Sequence, residues 1–240
     1  VKAIAHLSYF FSNKESRTIG LLFTFNSFVF GHWVTRIPDI KFALNLTEGD
    51  LGIALLGGPI GAISMLPFAG WFISKLGLGK STWIASLLHL SSPVLLVLAT
   101  SKLSLLLALV GFGATNALMD VAMNAAAAKT ERSLGRPVMS TCHGMWSLGA
   151  MLGAATGALI LSLGVPYLLH ILAACLITVF MFFTFTNIIW NLQEAANQGN
   201  QKIFALPNRT LLGLAVIGFC VLLSEGAIAD WSALYMKDAI

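Results

Sequence analysis

The sequence predicts an all-α membrane protein: a six-helix bundle followed by the first helix of a second half. Three observations predict it. Of 240 residues, 57% are hydrophobic and only 10% are charged, with a mean hydropathy of +0.84. A soluble domain carries about 25% charged residues, so lipid must face much of this surface. Apolar stretches of membrane-crossing length recur along the chain. Finally, Lys and Arg fall in the gaps between them with a strong bias to one side.

A helix needs roughly 20 mostly apolar residues to cross about 30 Å of hydrocarbon. Seven segments qualify: Ile19 to about Ile37, Leu51–Ile73, Ser81–Thr100, Leu103 to about Ala128, Val138–Leu161, Tyr167–Trp190, and one from near Thr210 to Lys237. Pro137 to Gln193 carries no charge, so it must hold two spans, divided at the turn chemistry of Ser162–Pro166. The expected organisation is a lead-in over 1–18, a six-helix half over 19–190, a polar linker over 191–208 and a seventh helix over 209–240. The lead-in lacks the cleavage pattern of a signal peptide.

With a cytoplasmic N-terminus, ten basic residues fall inside: Lys2, Lys14, Arg17, Lys75, Lys80, Lys129, Arg132, Arg136, Lys202 and Arg209. Four fall outside, Arg36, Lys41, Lys102 and Lys237. That asymmetry predicts the orientation. The net charge of +4 forms no dense basic cluster, so no nucleic-acid partner is expected. Cys142, Cys175 and Cys220 are dispersed in apolar runs and read as small packing residues, with no metal or cofactor expected.

Glycines and prolines report on packing. Gly149, Gly153 and Gly157 recur every four residues and line one helix face, permitting close backbone approach, as do Gly57 and Gly61. Gly58-Pro59, Pro67 and Pro93 predict kinks. Gly77–Thr82 is no phosphate-binding loop, because Ser74 stands where the first glycine belongs. Met145–Gly149 likewise misses a nucleophile elbow, and no paired His/Cys spacing suggests hydrolysis, so no enzyme is expected.

The polar residues inside the spans are the candidate functional groups. Asn116, Asp120 and Asn124 lie at i, i+4 and i+8, on one face of the fourth span. A carboxylate at a helix centre costs about 2.5–3.5 kcal/mol on the insertion scale, which the flanking leucines offset. It should therefore face the bundle or a water-filled cavity, as either an interhelical hydrogen-bond cluster or a binding group. His143 and Trp146 enter the fifth span at a depth comparable with Asp120. His143 thus meets Asp120 or sits at the headgroup boundary. Asn26 and His32 are candidates on the facing wall, and Glu225 is expected as a second buried acid. Arg36 and Asp39 are expected to pair at the interface, with Trp33 and Trp231 at matching depths.

Gly70-Trp71-Phe72-Ile73-Ser74-Lys75-Leu76-Gly77-Leu78-Gly79-Lys80 resembles the loop signature of the major facilitator superfamily. Gly70, Lys75, Gly77 and Lys80 match it, while Ser74 replaces the acid and Gly79 one of the bases. Segments Trp33–Ile40, Asp120–Asn124, His143–Gly149 and Glu225–Ser232 resemble a bacterial branch near fucose-permease-like sugar symporters. The resemblance implies twelve helices in two halves, alternating access around a central cavity, and therefore a longer protein than these seven helices. It also implies a monomer in the bacterial inner membrane carrying a small polar solute such as a sugar, with protons as the candidate coupling ion. Drug export, or a receptor or assembly role without transport, are the alternatives. The absence of a base in Leu105–Leu109 and of a Gly-Pro pair in Gly149–Gly157 leans away from export.

Overall fold

The computed structural model describes residues 2–192 and 209–239, with side chains over 7–192 and 212–237. Among the described residues twelve helices follow one another: α1 (Lys2–Ser12), α2 (Lys14–Val34), α3 (Ile37–Ala43), α4 (Glu48–Leu55), α5 (Gly57–Leu76), α6 (Leu78–Ser91), α7 (Pro93–Val97), α8 (Lys102–Leu134), α9 (Met139–Ser162), α10 (Tyr167–Phe183), α11 (Thr186–Trp190) and α12 (Arg209–Ala239). No strand occurs among the described residues. Paired as α4–α5, α6–α7 and α10–α11, with α2, α8, α9 and α12, they make the six-helix bundle and the seventh helix of an all-α membrane protein.

Glu48–Leu76, Lys102–Leu134, Met139–Ser162 and Leu212–Lys237 are each long and apolar enough to cross a membrane. The other three crossings are broken or polar for identifiable reasons. Pro93 has no N–H for the His89 carbonyl, and the chain breaks between α6 and α7. Ser92 takes over that carbonyl, donating from its hydroxyl at 2.7 Å and its backbone N–H at 3.1 Å. Pro59 acts similarly at the α4/α5 break beside Leu56, whereas Pro67 lies within an unbroken α5. Helix α2 carries Ser16, Thr18, Asn26, Ser27 and His32 because it is the central helix, buried on most of its circumference. It begins at Lys14 with Asn13 as N-cap, so the helix that carries the first span starts within the expected lead-in. The rest of the lead-in is α1.

Small residues set the closest approaches. Gly149, Gly153 and Gly157 of α9 lie against Thr24, Phe28 and Thr35 on the α2 side, and Gly31 of α2 faces Ala150 and Ala154. Gly57 and Gly61 of α5 press on the Leu106 and Val110 carbonyls of α8, and Gly113 of α8 returns the contact at Gly58. These two seams, α2 with α9 and α5 with α8, are the most extensive helix pairings. Without a hydrophobic drive between helices in lipid, backbone proximity of this kind supplies the dispersion that holds them. The outward faces remain apolar: Ile63, Phe68, Trp71, Leu107, Met151, Leu176 and Phe180 are all exposed.

The two ends of the bundle differ. Helix α8 is 33 residues long, about 50 Å, so its final turns project beyond a ~30 Å hydrocarbon core. There Glu15 accepts from Lys129 Nζ at 2.6 Å and Thr130 Oγ1 at 2.7 Å, and Arg136 lies 4.2 Å over the Tyr9 ring. The Glu131 carboxylate accepts from the Val138 and Met139 N–H groups at 2.7 and 3.0 Å, capping α9. Those two bonds hold its carboxyl below the usual carboxylate range. At the opposite end Lys102 pairs with Asp50 and Lys41 with Glu48, both at 2.6 Å. The first group of basic residues and the second thus occupy opposite ends wherever they are described. Residues 193–208 of the expected linker lie outside the described residues.

Candidate functional site

Midway along α2, Asn26 is 4% exposed and joins three helices. Its amide nitrogen donates to Asn116 Oδ1 of α8 at 2.9 Å, with Met119 Sδ at 3.6 Å. Its amide oxygen accepts from the Trp146 indole N–H of α9 at 3.0 Å. Both halves of the carboxamide are therefore used, which fixes its orientation by the donor/acceptor pattern. Such a fully satisfied node costs little to bury and holds the Asn116 and Trp146 side chains in place.

The wall continues along α8. One turn on from Asn116, Asp120 is exposed beside the node, and Asn124 donates to its Oδ1 at 3.0 Å and its backbone oxygen at 2.9 Å. His143 of α9, also exposed, is within electrostatic reach of Asp120 and stands edge-on to Phe23 with centroids 5.3 Å apart. Asn26, Asn116, Asp120, Asn124, His143 and Trp146 therefore form one polar surface where α8 and α9 flank α2. Its chemistry is amide, indole, carboxylate and imidazole. Among the described residues no group of three His, Cys, Asp or Glu side chains is arranged to hold a metal ion.

His32 is not on this surface. Six residues further along α2, it is 2% exposed and its Nδ1 is 2.6 Å from His170 Nε2 of α10. His170 also accepts from Arg36 Nε at 2.6 Å. The expected Arg36–Asp39 pair forms at 2.7 Å, but Arg36 is buried, and its remaining arm donates to the Val165 carbonyl at 2.8 Å. His170 is the residue sequence reasoning missed. The signal was a lone imidazole within an otherwise charge-free apolar run.

Glu225 also stands apart. Expected as a buried acid, it is exposed on α12 and has no hydrogen bond or ion pair among the described residues, because α12 touches the bundle mainly near its C-terminal end. There Leu234 is 5% exposed and Trp231 packs on the cluster that contains Trp33, with its ring 3.7 Å from the position of a Cβ on Gly52.

The family model of the Major Facilitator Superfamily matches residues 19–239. The chain belongs to the major facilitator superfamily. It is 31% identical over 224 residues to an uncharacterized transporter, y4wD, of Sinorhizobium fredii, covering 93% of this chain and 59% of that protein. It is 30% identical over 221 residues to the membrane protein MosC of Rhizobium meliloti, covering 91% and 53% respectively. An uncharacterized MFS-type transporter of Yersinia pestis is 28% identical over 204 residues, covering 85% and 53%. The chain thus spans little more than half the length of these relatives. No solved structure matches it.

Membership makes the departures from the superfamily's loop signature informative. The connection after α5 is Gly77 alone, at φ 81°, a backbone state that favours glycine. Lys75 and Lys80 are exposed, with Lys80 5.7 Å over the Trp190 ring, and Gly70 has open space around it. Gly79 stands where the signature has a base because the last carbonyls of α11 press against it. A Cβ there would meet the Trp190 and Ile189 oxygens at 2.5 and 2.6 Å, and its N–H donates to the Leu192 oxygen at 3.1 Å. Ser74, in place of the acid, donates its hydroxyl to the Trp71 carbonyl of its own helix at 2.8 Å. Neither position has a charge to offer another part of the protein.

Proposed function

We propose that the complete protein is a secondary carrier that moves a small polar solute by alternating access, with Asp120 linking transport to protons. The observation that carries this reading is the continuous polar surface from Asn26 through Asn116 and Trp146 to Asp120 and Asn124. Membrane-embedded polar groups of this kind are costly and mark substrate or ion pathways. Asn116, Asp120 and His143 have donor or acceptor capacity beyond their bonds to neighbours, which a hydroxyl-bearing solute can use, beside the Trp146 ring for its apolar side. Asp120 is the one carboxylate on that surface and is paired with an amide, not a permanent cation. It is therefore free to exchange a proton or to accept from a solute hydroxyl.

A sugar or related metabolite is the favoured solute, on the resemblance to fucose-permease-like symporters. The partition of basic residues between the two ends supports a cytoplasmic N-terminus in a bacterial inner membrane. Each complete molecule acts as a monomer, since the cavity of this superfamily forms within one chain between its halves. Reconstituting the complete protein in liposomes and screening labelled metabolites for saturable, gradient-driven uptake tests the reading. Uptake of a hydroxylated solute, stimulated by an inward proton gradient, is expected. Preference for amphiphilic drugs, or no flux across the panel, would contradict it.

A further inference from the structure

A second polar cluster lies away from the Asn26 surface, and of the three links that join Arg36, His170, His32 and Thr156 the first has a direction fixed by chemistry. A guanidinium donates and never accepts. Arg36 Nε donates to His170 Nδ1 at 2.6 Å, so that nitrogen carries no proton and His170 holds its hydrogen on Nε2. Nε2 then donates to His32 Nδ1 at 2.6 Å, which puts the hydrogen of His32 on its Nε2 as well. That group reaches Thr156 Oγ1 of α9 at 3.3 Å, and the Thr156 hydroxyl donates to the Leu152 carbonyl at 2.6 Å. Every link points from α3 towards α9, and both histidines are neutral. Arg36, His32 and His170 are each 2% exposed.

The charge balance at the other end of this chain depends on α12. Asp39 uses Oδ2 for Arg36 at 2.7 Å and Oδ1 for Lys237 at 3.7 Å. Two cations on one carboxylate leave the site net positive, which disfavours a further proton on the imidazoles. The charged groups facing the pair are Arg36 and Asp39, with Lys237 behind Asp39. Among the described residues α9 contributes the Thr156 hydroxyl and α2 the Phe28 ring, edge-on to His32 at 4.5 Å.

We propose that His32 and His170 form a second proton-binding site, which fills when α12 withdraws Lys237 from Asp39. A proton placed on either ring leaves two N–H groups facing each other somewhere along the chain. If it enters at His32, His170 must switch its hydrogen to Nδ1. If it enters at His170 Nδ1, that nitrogen becomes a donor directly. Both routes end with an N–H opposed to Arg36 Nε, so the new N–H bond forms as the Arg36–His170 hydrogen bond breaks. Arg36 is then left to Asp39 and the Val165 carbonyl. Proton entry is thereby tied to the contact between α12 and α3. The inference rests on the alternating-access reading only for what moves α12, and it holds whichever solute is carried.

Nitrogen NMR of the complete protein, labelled with 15N-histidine in lipid nanodiscs, reads the imidazoles directly and so separates this proposal from the transport reading. The His170 signals are assigned by their loss in His170→Gln. At neutral pH the wild type should show His170 bare at Nδ1 and protonated at Nε2. In Lys237→Gln, a substitution at a half-exposed side chain, the pair should charge at a pH higher by roughly 0.3 to 1 unit. That is the effect of one unit charge about 10 Å away at an effective dielectric of 20 to 80. Asp39→Asn should move the titration the opposite way. A protonated Nδ1 on His170 in the neutral wild type would overturn the directional chain. Identical titrations in wild type, Lys237→Gln and Asp39→Asn between about pH 5 and 8 would overturn the link to α12.

Discussion

Replacing Gly153 by alanine tests the seam that positions the polar surface. The new methyl would collide with the Phe28 carbonyl oxygen, with Phe28 C and Cα at 3.0 Å. From the other side, Gly31 already brings α2 to within 2.7 and 2.8 Å of Ala154 N and Ala150 O, measured to a Cβ position. All of these are backbone atoms, so no rotamer change relieves the contact and the helices must separate. Overpacking of this kind costs about 1–3 kcal/mol. Alanine also gains about 0.5–1 kcal/mol over glycine within any helix. Gly111→Ala serves as the reference, since a Cβ at Gly111 in α8 meets nothing within 4 Å. The helix gain cancels between the two variants, leaving a difference of about 1–3 kcal/mol as the seam contribution. Equilibrium unfolding of the complete protein in mixed SDS–maltoside micelles measures it. Equal stability of Gly153→Ala and Gly111→Ala would show that the α2–α9 seam tolerates a methyl group there.

Asn26→Ala should lose about 1–4 kcal/mol in the same assay, from two interhelical hydrogen bonds at roughly 0.6–2 kcal/mol each. Asn26→Asp, which buries a carboxylate at about 2.5–3.5 kcal/mol and sets it against the Asn116 amide oxygen, should be no more stable than Asn26→Ala at neutral pH. The Glu131 cap adds stability that is complete above the ordinary glutamate range and is lost as pH falls through the depressed native value. Glu131→Gln should therefore be less stable than wild type at pH 7, with the gap closing in acid; a gap that persists at pH 2–3 would assign the loss to something other than ionisation. Single cysteines at Lys75 or Lys80 should resist impermeant thiol reagents in intact cells, and rapid labelling from outside would invert the proposed orientation.

The spans were readable because charge-free runs of this length have no soluble solution, and Pro93 predicted its break because the lost hydrogen bond is local. The Asn116–Asp120–Asn124 face and the Gly149–Gly153–Gly157 row were readable because both repeat at the helical period. What the periodicity could not supply was the partner. Asn26 became a hub through residues 90 and 120 positions away, and nothing in its neighbourhood on the chain marks it out. Gly31, opposite the glycine row, has no repeat of its own. His32 shares a helix with Asn26, which suggests a common wall, yet it lies near the end of that helix against His170. The apolar neighbours of Glu225 suggest burial, but they report that α12 is greasy, not what covers it. Gly79 reads as a lost base until the α11 carbonyls are seen against it.

Whether Asp120 couples solute movement to protons is decided by comparing exchange with accumulation. The complete wild-type and Asp120→Asn proteins are placed in liposomes, and solute exchange and proton-driven accumulation are measured on the same preparations. Asparagine keeps the size of the side chain and its bond with Asn124 but cannot exchange a proton. With Asp120 as the coupling group, Asp120→Asn retains exchange and loses accumulation against a gradient. Wild-type accumulation by Asp120→Asn would contradict that role.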